Sequence, residues 1–241
     1  MNKPSTVAKN RRIYAVGDIH GRLDLLRTLN SRIAADARSL ESCINVVIYL
    51  GDYLDRGDHS REVIETLIED PLAGFERVHL SGNHERYLLQ FLNDPEIGAN
   101  WLFNGGDATL KSYGVDIEDP AFGREGWPWA LQRLVTELPS RHLSFLRDLA
   151  LSHVEGDYMF VHAGVRPGVA LDQQNETDLM WIREEFTESG VDFGKIIVHG
   201  HSISPDIDVR NNRIGIDTGA YRSGTLSCLV LEGEGRRFIQ T

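Results

Sequence analysis

The sequence predicts an α/β fold, and three observations carry that prediction. Apolar-rich runs of strand length, Ile13 to Val16, Ile44 to Leu50 and Phe75 to Leu80, each lead into a glycine and a metal-competent side chain: Gly17-Asp18, Gly51-Asp52 and, after Ser81, Gly82-Asn83. Continuous rather than alternating apolar runs are those of parallel strands buried on both faces. Asp18 and Asp52 lie 34 positions apart, and Asp52 and Asn83 lie 31 apart. Each interval is close to the roughly 30 residues of a strand, a crossover helix and the next parallel strand. Right-handed crossovers then set the three strand ends side by side on one sheet edge, where open α/β folds bind their ligands.

The intervening segments fit this scheme. Arg22 to Arg38 carries Leu26, Leu29, Ile33 and Ala37 at helical spacing, and His59 to Glu69 carries Val63, Ile64, Leu67 and Ile68 before Pro71 stops it. His84 to Leu92 is expected to be a helix whose N-terminal amides face the strand ends. From Asn93 to Leu149 the rhythm breaks. Trp101, Phe103, Tyr113, Trp127 and Trp129 lie among short helical pieces punctuated by Pro95, Gly114, Pro120 and Gly123. This is expected to be a helical insertion over or beside the site, with its aromatics as local core, ending in a helix from Ser140 to Leu149.

The second half is strand-rich. Tyr158 to Val161 runs into His162-Ala163-Gly164, and Lys195 to Val198 runs into His199-Gly200-His201. Ile207 to Val209, Arg213 to Ile216 and Thr225 to Leu231 are expected as short strands joined at Asn211-Asn212 and at the Gly219 to Gly224 turn, an antiparallel finish. The chain is expected to be a single domain over residues 1–241, with a polar segment at 1–12 and the helical insertion at about 93–149.

Composition narrows the function. A formal net charge of -11 argues against sequence-independent nucleic-acid binding, which needs a basic face. It leaves room for a small phosphate site, because bound divalent cations invert the local field. Cys43 and Cys228 are too few for a disulfide framework or zinc ribbon and are expected to be buried thiols. Met1 to Arg12 lacks an apolar signal core, and no 18-residue apolar run occurs, so no membrane partner and a cytoplasmic location are expected. The glycosylation sequon at Asn175-Glu176-Thr177 is then a chance match.

A lone histidine after a strand is usually structural, and an Asp after a Gly is usually a turn residue. Asp18-x-His20, Asp52, Asn83-His84, His162 and His201 all follow apolar runs, and together they are hard to explain as turns. Carboxylate, imidazole and amide oxygen donors without thiolate suit manganese, with iron or zinc as alternatives, better than a calcium cage. Six such donors are too many for one open catalytic ion and fit two divalent ions sharing Asp52 and a water. Paired cations lower the pKa of a bridging water and stabilise phosphoryl transfer, so phosphate ester hydrolysis is the expected chemistry. His84 is placed to protonate the leaving oxygen, Asp55 to hold that imidazole charged, and Arg56 and Arg183 to grip phosphate oxygens.

Gly17-Asp18-Ile19-His20-Gly21, Gly51-Asp52-Tyr53-Leu54-Asp55-Arg56-Gly57, Gly82-Asn83-His84-Glu85, His162-Ala163-Gly164 and Gly200-His201 resemble the ordered signature of the phosphoprotein phosphatases. These are the metallophosphoesterases that include eukaryotic serine/threonine phosphatases and short bacterial and phage relatives. The resemblance spans about residues 13–232. It implies a metal-bearing β-sandwich flanked by helices, the calcineurin-like fold, with Asp18, His20 and Asp52 on one ion and Asp52, Asn83, His162 and His201 on the other. It also implies His84 as proton donor paired with Asp55, and Arg56 as a phosphate ligand. Arg183, in Asp178-Leu179-Met180-Trp181-Ile182-Arg183, is the best match to the second phosphate-binding arginine. Trp101 to Gly114 and Ile216-Asp217-Thr218-Gly219-Ala220 look like features of the bacterial branch.

The implied activity is hydrolysis of phosphoserine and phosphothreonine in a protein or peptide, with phosphotyrosine left open and no regulatory subunit inferred. The nearest alternative is symmetrical dinucleoside polyphosphate hydrolysis; those relatives usually lack the acid that Asp55 supplies here. A non-catalytic phosphate-binding module would need a missing ligand or proton donor, and none is missing. His199 is expected to be structural or to support a ligand, and His59, His79, His142 and His153 to be structural. Arg166, Tyr221 and Arg222 fall in loops near strand ends and are as readily surface residues as substrate contacts.

Overall fold

The computed structural model describes residues 5–38, 43–69 and 72–241. Its first half is the expected βα alternation: β1 (Arg11–Val16), α1 (Leu23–Arg38), β2 (Ile44–Tyr49), α2 (Ser60–Ile68), β3 (Glu76–His79) and α3 (Asn83–Phe91). The insertion follows as α4 (Gly98–Phe103), α5 (Gly106–Ser112), α6 (Pro120–Glu125), α7 (Trp127–Glu137) and α8 (Ser140–Arg147). Then come β4 (Ser152–Glu155), β5 (Tyr158–Val161), α9 (Glu176–Trp181), α10 (Glu184–Thr187), β6 (Ile196–His199), β7 (Asp208–Val209), β8 (Arg213–Gly215), α11 (Ala220–Ser223), β9 (Ser227–Glu232) and β10 (Gly235–Gln240). Pro71 lies outside the described residues.

Among the described residues the strands form two five-stranded mixed sheets, in the orders β10-β9-β1-β2-β3 and β4-β5-β6-β8-β7. β1, β2 and β3 run parallel, with Val16 opposite Tyr49 and Tyr49 opposite His79, so their three carboxyl ends share one edge. The sheets pack face to face. Ile13, Ala15, Val46, Ile48, Leu229 and Leu231 meet Tyr158, Phe160, Ile196, Val198 and Ile214 in the space between them. The alternate residues Tyr14, Val16, Val47, Tyr49 and Val230 face outward under α1, α2, α3 and the insertion. Met159, Val161 and Ile197 do the same on the other sheet beneath Leu179, Ile182 and Phe186. Because both faces are covered, a one-residue slip would exchange two differently shaped apolar sets, and each fully buried side chain is worth roughly 1.5–3 kcal/mol.

Several expectations need correction. β1 begins at Arg11 rather than Ile13: Arg12 is buried because its guanidinium pairs with Glu232, which hides the strand start behind two charges. The polar β4 and the edge strand β10 were not expected, since strands exposed along one side carry charge and little apolar signal. The last strands are not one antiparallel meander. β8 pairs antiparallel with β7 but parallel with β6, while β9 crosses to the first sheet and pairs antiparallel with β1 and β10. Cys228 is buried as expected, whereas Cys43 is partly exposed. In the insertion Trp101 and Tyr113 are core, Trp127 and Trp129 are half-buried, and Phe103 is 90% exposed. Asn175 of the sequon caps α9, its side chain accepting the Asp178 N–H at 2.8 Å. No described helix is long and apolar enough to cross a membrane.

Candidate metal centre

The strand ends of both sheets turn inward at one edge, and the turns are sharp. His20, Asp52, Asp55, Arg56 and His201 all have left-handed backbones, with φ between 47° and 70°. For non-glycine residues this conformation is uncommon and costs of order 1–3 kcal/mol each. The surrounding bonds hold it. Glu85, fully buried in the first turn of α3, accepts the N–H groups of Asp52, Tyr53 and Gly82 at 2.8–2.9 Å and lies 3.3 Å from that of Leu54. A single carboxylate therefore ties the loop after β2 to the loop after β3. Gly82 and Gly200 are required by close approach: a Cβ at Gly82 would collide with the Asp52 carboxylate, and one at Gly200 with that of Asp18.

Asp18, His20, Asp52, Asn83, His162 and His201 are all buried at this edge. His20 Nδ1 lies 2.7 Å from the Leu54 carbonyl and His162 Nδ1 lies 2.9 Å from the Leu50 carbonyl. A carbonyl can only accept, so both rings carry hydrogen on Nδ1 and turn an Nε2 lone pair toward the centre. His162 Nε2 meets Asn83 Oδ1 at 3.0 Å and Asp52 Oδ1 at 3.3 Å, while His20 Nε2 stands 3.5 Å from Asp52 Oδ2. The His201 N–H donates to Asp18 Oδ2 at 3.0 Å, and His201 Nε2 and Asp18 Oδ1 are buried without a hydrogen-bond partner. Lone pairs converging on one another out of water call for a cation.

Two donor sets lie within reach of single ions, Asp52 with His162 and His201, and Asp52 with His20 and His84. Asp52 belongs to both. Burial pushes its carboxyl up, but the surrounding imidazoles, His162 foremost, outweigh that and hold it far below the carboxylate range. Burial lowers His20 and His162 and takes His201 down to about 2, which keeps the three rings neutral and able to ligate.

His84 differs. Its Nδ1–H donates to Asp55 Oδ2 at 2.6 Å. Burial pulls it down, but Asp52 and this hydrogen bond prevail and its pKa is raised. Asp55, 0% exposed, also accepts Trp101 Nε1–H at 2.9 Å and the Thr109 hydroxyl at 2.6 Å, and its N–H lies 3.1 Å from Ser60 Oγ. The insertion thus builds the support of the His84–Asp55 pair. The His84 backbone N–H, at the start of α3, donates to Asp52 Oδ1 at 3.2 Å, so the helix N-terminus serves the central acid.

Arg56 is partly buried. Its guanidinium donates to Nε2 of His20 at 2.9 Å and of His84 at 3.2 Å, and lies 4.7 Å over the Tyr221 ring. It places positive charge where two imidazole lone pairs and Asp52 meet, a position suited to a cation. Arg183 stands at the rim, 3.4 Å from the His201 carbonyl. A cleft of about 550 Å³ lined by Arg22, Arg27, Arg56, His59 and Tyr221 opens alongside.

The structure does not bring every candidate here. Arg166 forms paired bonds with Asp178 at 2.6–2.7 Å and reaches Glu185 at 2.9 Å, and Arg222 is exposed. His199 donates from Nδ1 to the Gly200 carbonyl, packs on Phe186 and is lowered to about 4 by burial. His142 bonds Glu65 and Tyr113, His79 stacks on Tyr49, and His59 and His153 lie near Glu62 and Glu155. Glu85, Ser60 and Thr109 stood outside the expected site, and Trp101 was expected only as local core of the insertion. Glu85, in the quoted Gly-Asn-His-Glu run and followed by an apolar helix pattern, was the one with a usable signal.

A two-sheet sandwich with this donor set at its edge defines a metallophosphoesterase. The sequence model of the Calcineurin-like phosphoesterase family matches residues 11–222, and the chain belongs to that family. Members use a binuclear divalent metal centre, and the converging donors around Asp52 fit one. The chain is 26% identical over 228 residues to serine/threonine-protein phosphatase 2 of Escherichia coli K12, covering 90% of this chain and 91% of that one. It is 33% identical over 187 residues to the symmetrical bis(5'-nucleosyl)-tetraphosphatase of Dechloromonas aromatica, covering 77% of this chain but 54% of that one. A solved structure provisionally described as a diadenosine tetraphosphatase shares the fold with a TM-score of 0.63 at 20% identity, covering 99% of this chain and 98% of the other.

Proposed function

We propose that the protein is a metal-dependent phosphomonoesterase that removes phosphate from serine and threonine in proteins or peptides. The observation that carries this reading is the His84–Asp55 pair, a proton donor locked by a carboxylate that is itself held by Trp101 and Thr109. Cleaving an alkyl phosphate requires a proton for a poor leaving group, and a positioned imidazolium supplies about 10²–10⁴-fold. The match to a protein phosphatase over nearly the whole of both chains supports the same reading.

Divalent ions bound among Asp18, His20, Asp52, Asn83, His162 and His201, with manganese the first candidate, would polarise the phosphoryl group and lower the pKa of a water between them. The chain supplies the rest. Arg56 leaves His20 and His84 to grip phosphate oxygens, joined by Arg183 from the rim. That movement frees His84 Nε2 to take up a proton from solvent, and the resulting imidazolium, its Nδ1–H held by Asp55, faces the leaving oxygen and gives it the Nε2 proton.

A second reading, dinucleoside tetraphosphate hydrolysis, is favoured by the 33% identity to a symmetrical tetraphosphatase. Turnover of a phosphothreonine peptide against diadenosine tetraphosphate, with Mn²⁺ supplied, separates the two. The peptide is expected to win; a strong preference for the nucleotide overturns the protein-phosphatase reading.

A further inference from the structure

The loop after β8 carries an acid that the six-donor scheme does not use. Asp217 is 3% exposed, and its Oδ1 accepts the Gly219 N–H at 2.9 Å, which fixes the turn into α11. Its Oδ2 and Oδ1 of Asp18 are buried and receive no hydrogen bond from any other group, while the two carboxyls lie within hydrogen-bond reach of each other. The backbone explains why the two acids are neighbours. A Cβ built on Gly17 would lie 2.6 Å from the Ile216 carbonyl oxygen, so the two chains touch at residues 17 and 216, and Asp18 and Asp217 are the next residues of each.

A turn cap needs one oxygen, and an asparagine would provide it. Capping therefore leaves unexplained a second carboxylate oxygen placed out of water beside another acid, an arrangement that is unfavourable unless a cation or a shared proton compensates it, and only a cation lets both acids stay charged. Among the six expected donors only Asp18 and Asp52 carry negative charge, against four positive charges on two divalent ions. We propose that Asp217 is a further acid of the centre, acting on its Asp18 side to tighten the hold on the divalent ion there. This rests on the two-ion reading of the site and is independent of which phosphoester is cleaved.

The test is Mn²⁺ binding to metal-stripped protein, by calorimetry and by elemental analysis after equilibrium dialysis, with no substrate present. Wild type is expected to bind two equivalents; failure to do so would sink the two-ion reading itself. Asp217→Asn keeps an oxygen for Gly219, and Asp217→Ser keeps a hydroxyl that can accept from the residue two positions on. Both are expected to weaken one Mn²⁺ equivalent by about 10–100-fold while the other stays put. Their metal-free melting temperature should be unchanged or raised, because the repulsion with Asp18 is gone. Wild-type affinity for both equivalents in Asp217→Asn would reduce Asp217 to a turn cap and overturn the proposal. Loss of the metal-free fold in both variants would overturn it too, by making the residue's role structural.

Discussion

Asp52 is buried with the His84 N–H donating to its Oδ1, while the Nε2 lone pairs of His20 and His162 face its carboxylate. Asp52→Asn removes the charge common to both donor sets, so bound Mn²⁺ is expected to fall well below two equivalents by elemental analysis. His84→Asn leaves the six donors intact. It should keep its metal while turnover drops about 10²–10⁴-fold, and full activity would remove His84 from the mechanism. Trp101→Phe deletes one donor to the buried Asp55 carboxylate without emptying the core. Hydrogen bonds to charged groups contribute roughly 1.5–3 kcal/mol, so urea unfolding should show a loss of that size.

At the level of elements, α3 does more than cover a sheet. Its Glu85 joins the turns after β2 and β3, and burial raises that carboxyl to about 7. Glu85→Gln would set an amide donor against backbone N–H groups, and a loss of about 1–3 kcal/mol in unfolding free energy is expected. The loop after β5 is fastened to α9 by Arg166 and Asp178. The hydrogen bonds from Arg166 hold the Asp178 carboxyl below its ordinary value. A depressed folded-state pKa contributes stability that is complete above the unfolded value and lost as pH falls through the folded one. The stability gap between wild type and Asp178→Asn should therefore be present at neutral pH and close progressively in acid below the ordinary carboxylate range. A gap that persisted unchanged would show that the pair does not act through charge.

Across the whole molecule, the six donors come from both sheets: Asp18, His20, Asp52 and Asn83 follow β1, β2 and β3, while His162 and His201 follow β5 and β6. Bound cations would tie the two layers together at one edge, while the apolar interior between them holds independently. Chelation is thus expected to abolish activity and lower the melting temperature while the far-ultraviolet dichroism stays native. Readdition of Mn²⁺ at about 100 times its Kd should return about 2.7 kcal/mol for each ion bound. Collapse of the dichroism on chelation would show instead that the sandwich depends on its metal.

The sequence by itself determined the βα half and placed the candidate donors at strand ends, because β1 and β2, buried on both faces, and helices packed on one leave strong local patterns, while β3, half-exposed at a sheet edge, was marked by its spacing from β2. The runs ending at Gly17, Gly51 and Gly82 became β1, β2 and β3 to within two residues at either end. Only the tertiary structure decided that β9 leaves its sequence neighbours to pair with β1, that polar β4 and β10 close the edges, and that the insertion delivers Trp101 and Thr109 to Asp55. Partner choice among strands, and the meeting of a buried acid with a donor 46 positions away, depend on distant segments packing together. No local pattern of apolar and polar residues records that.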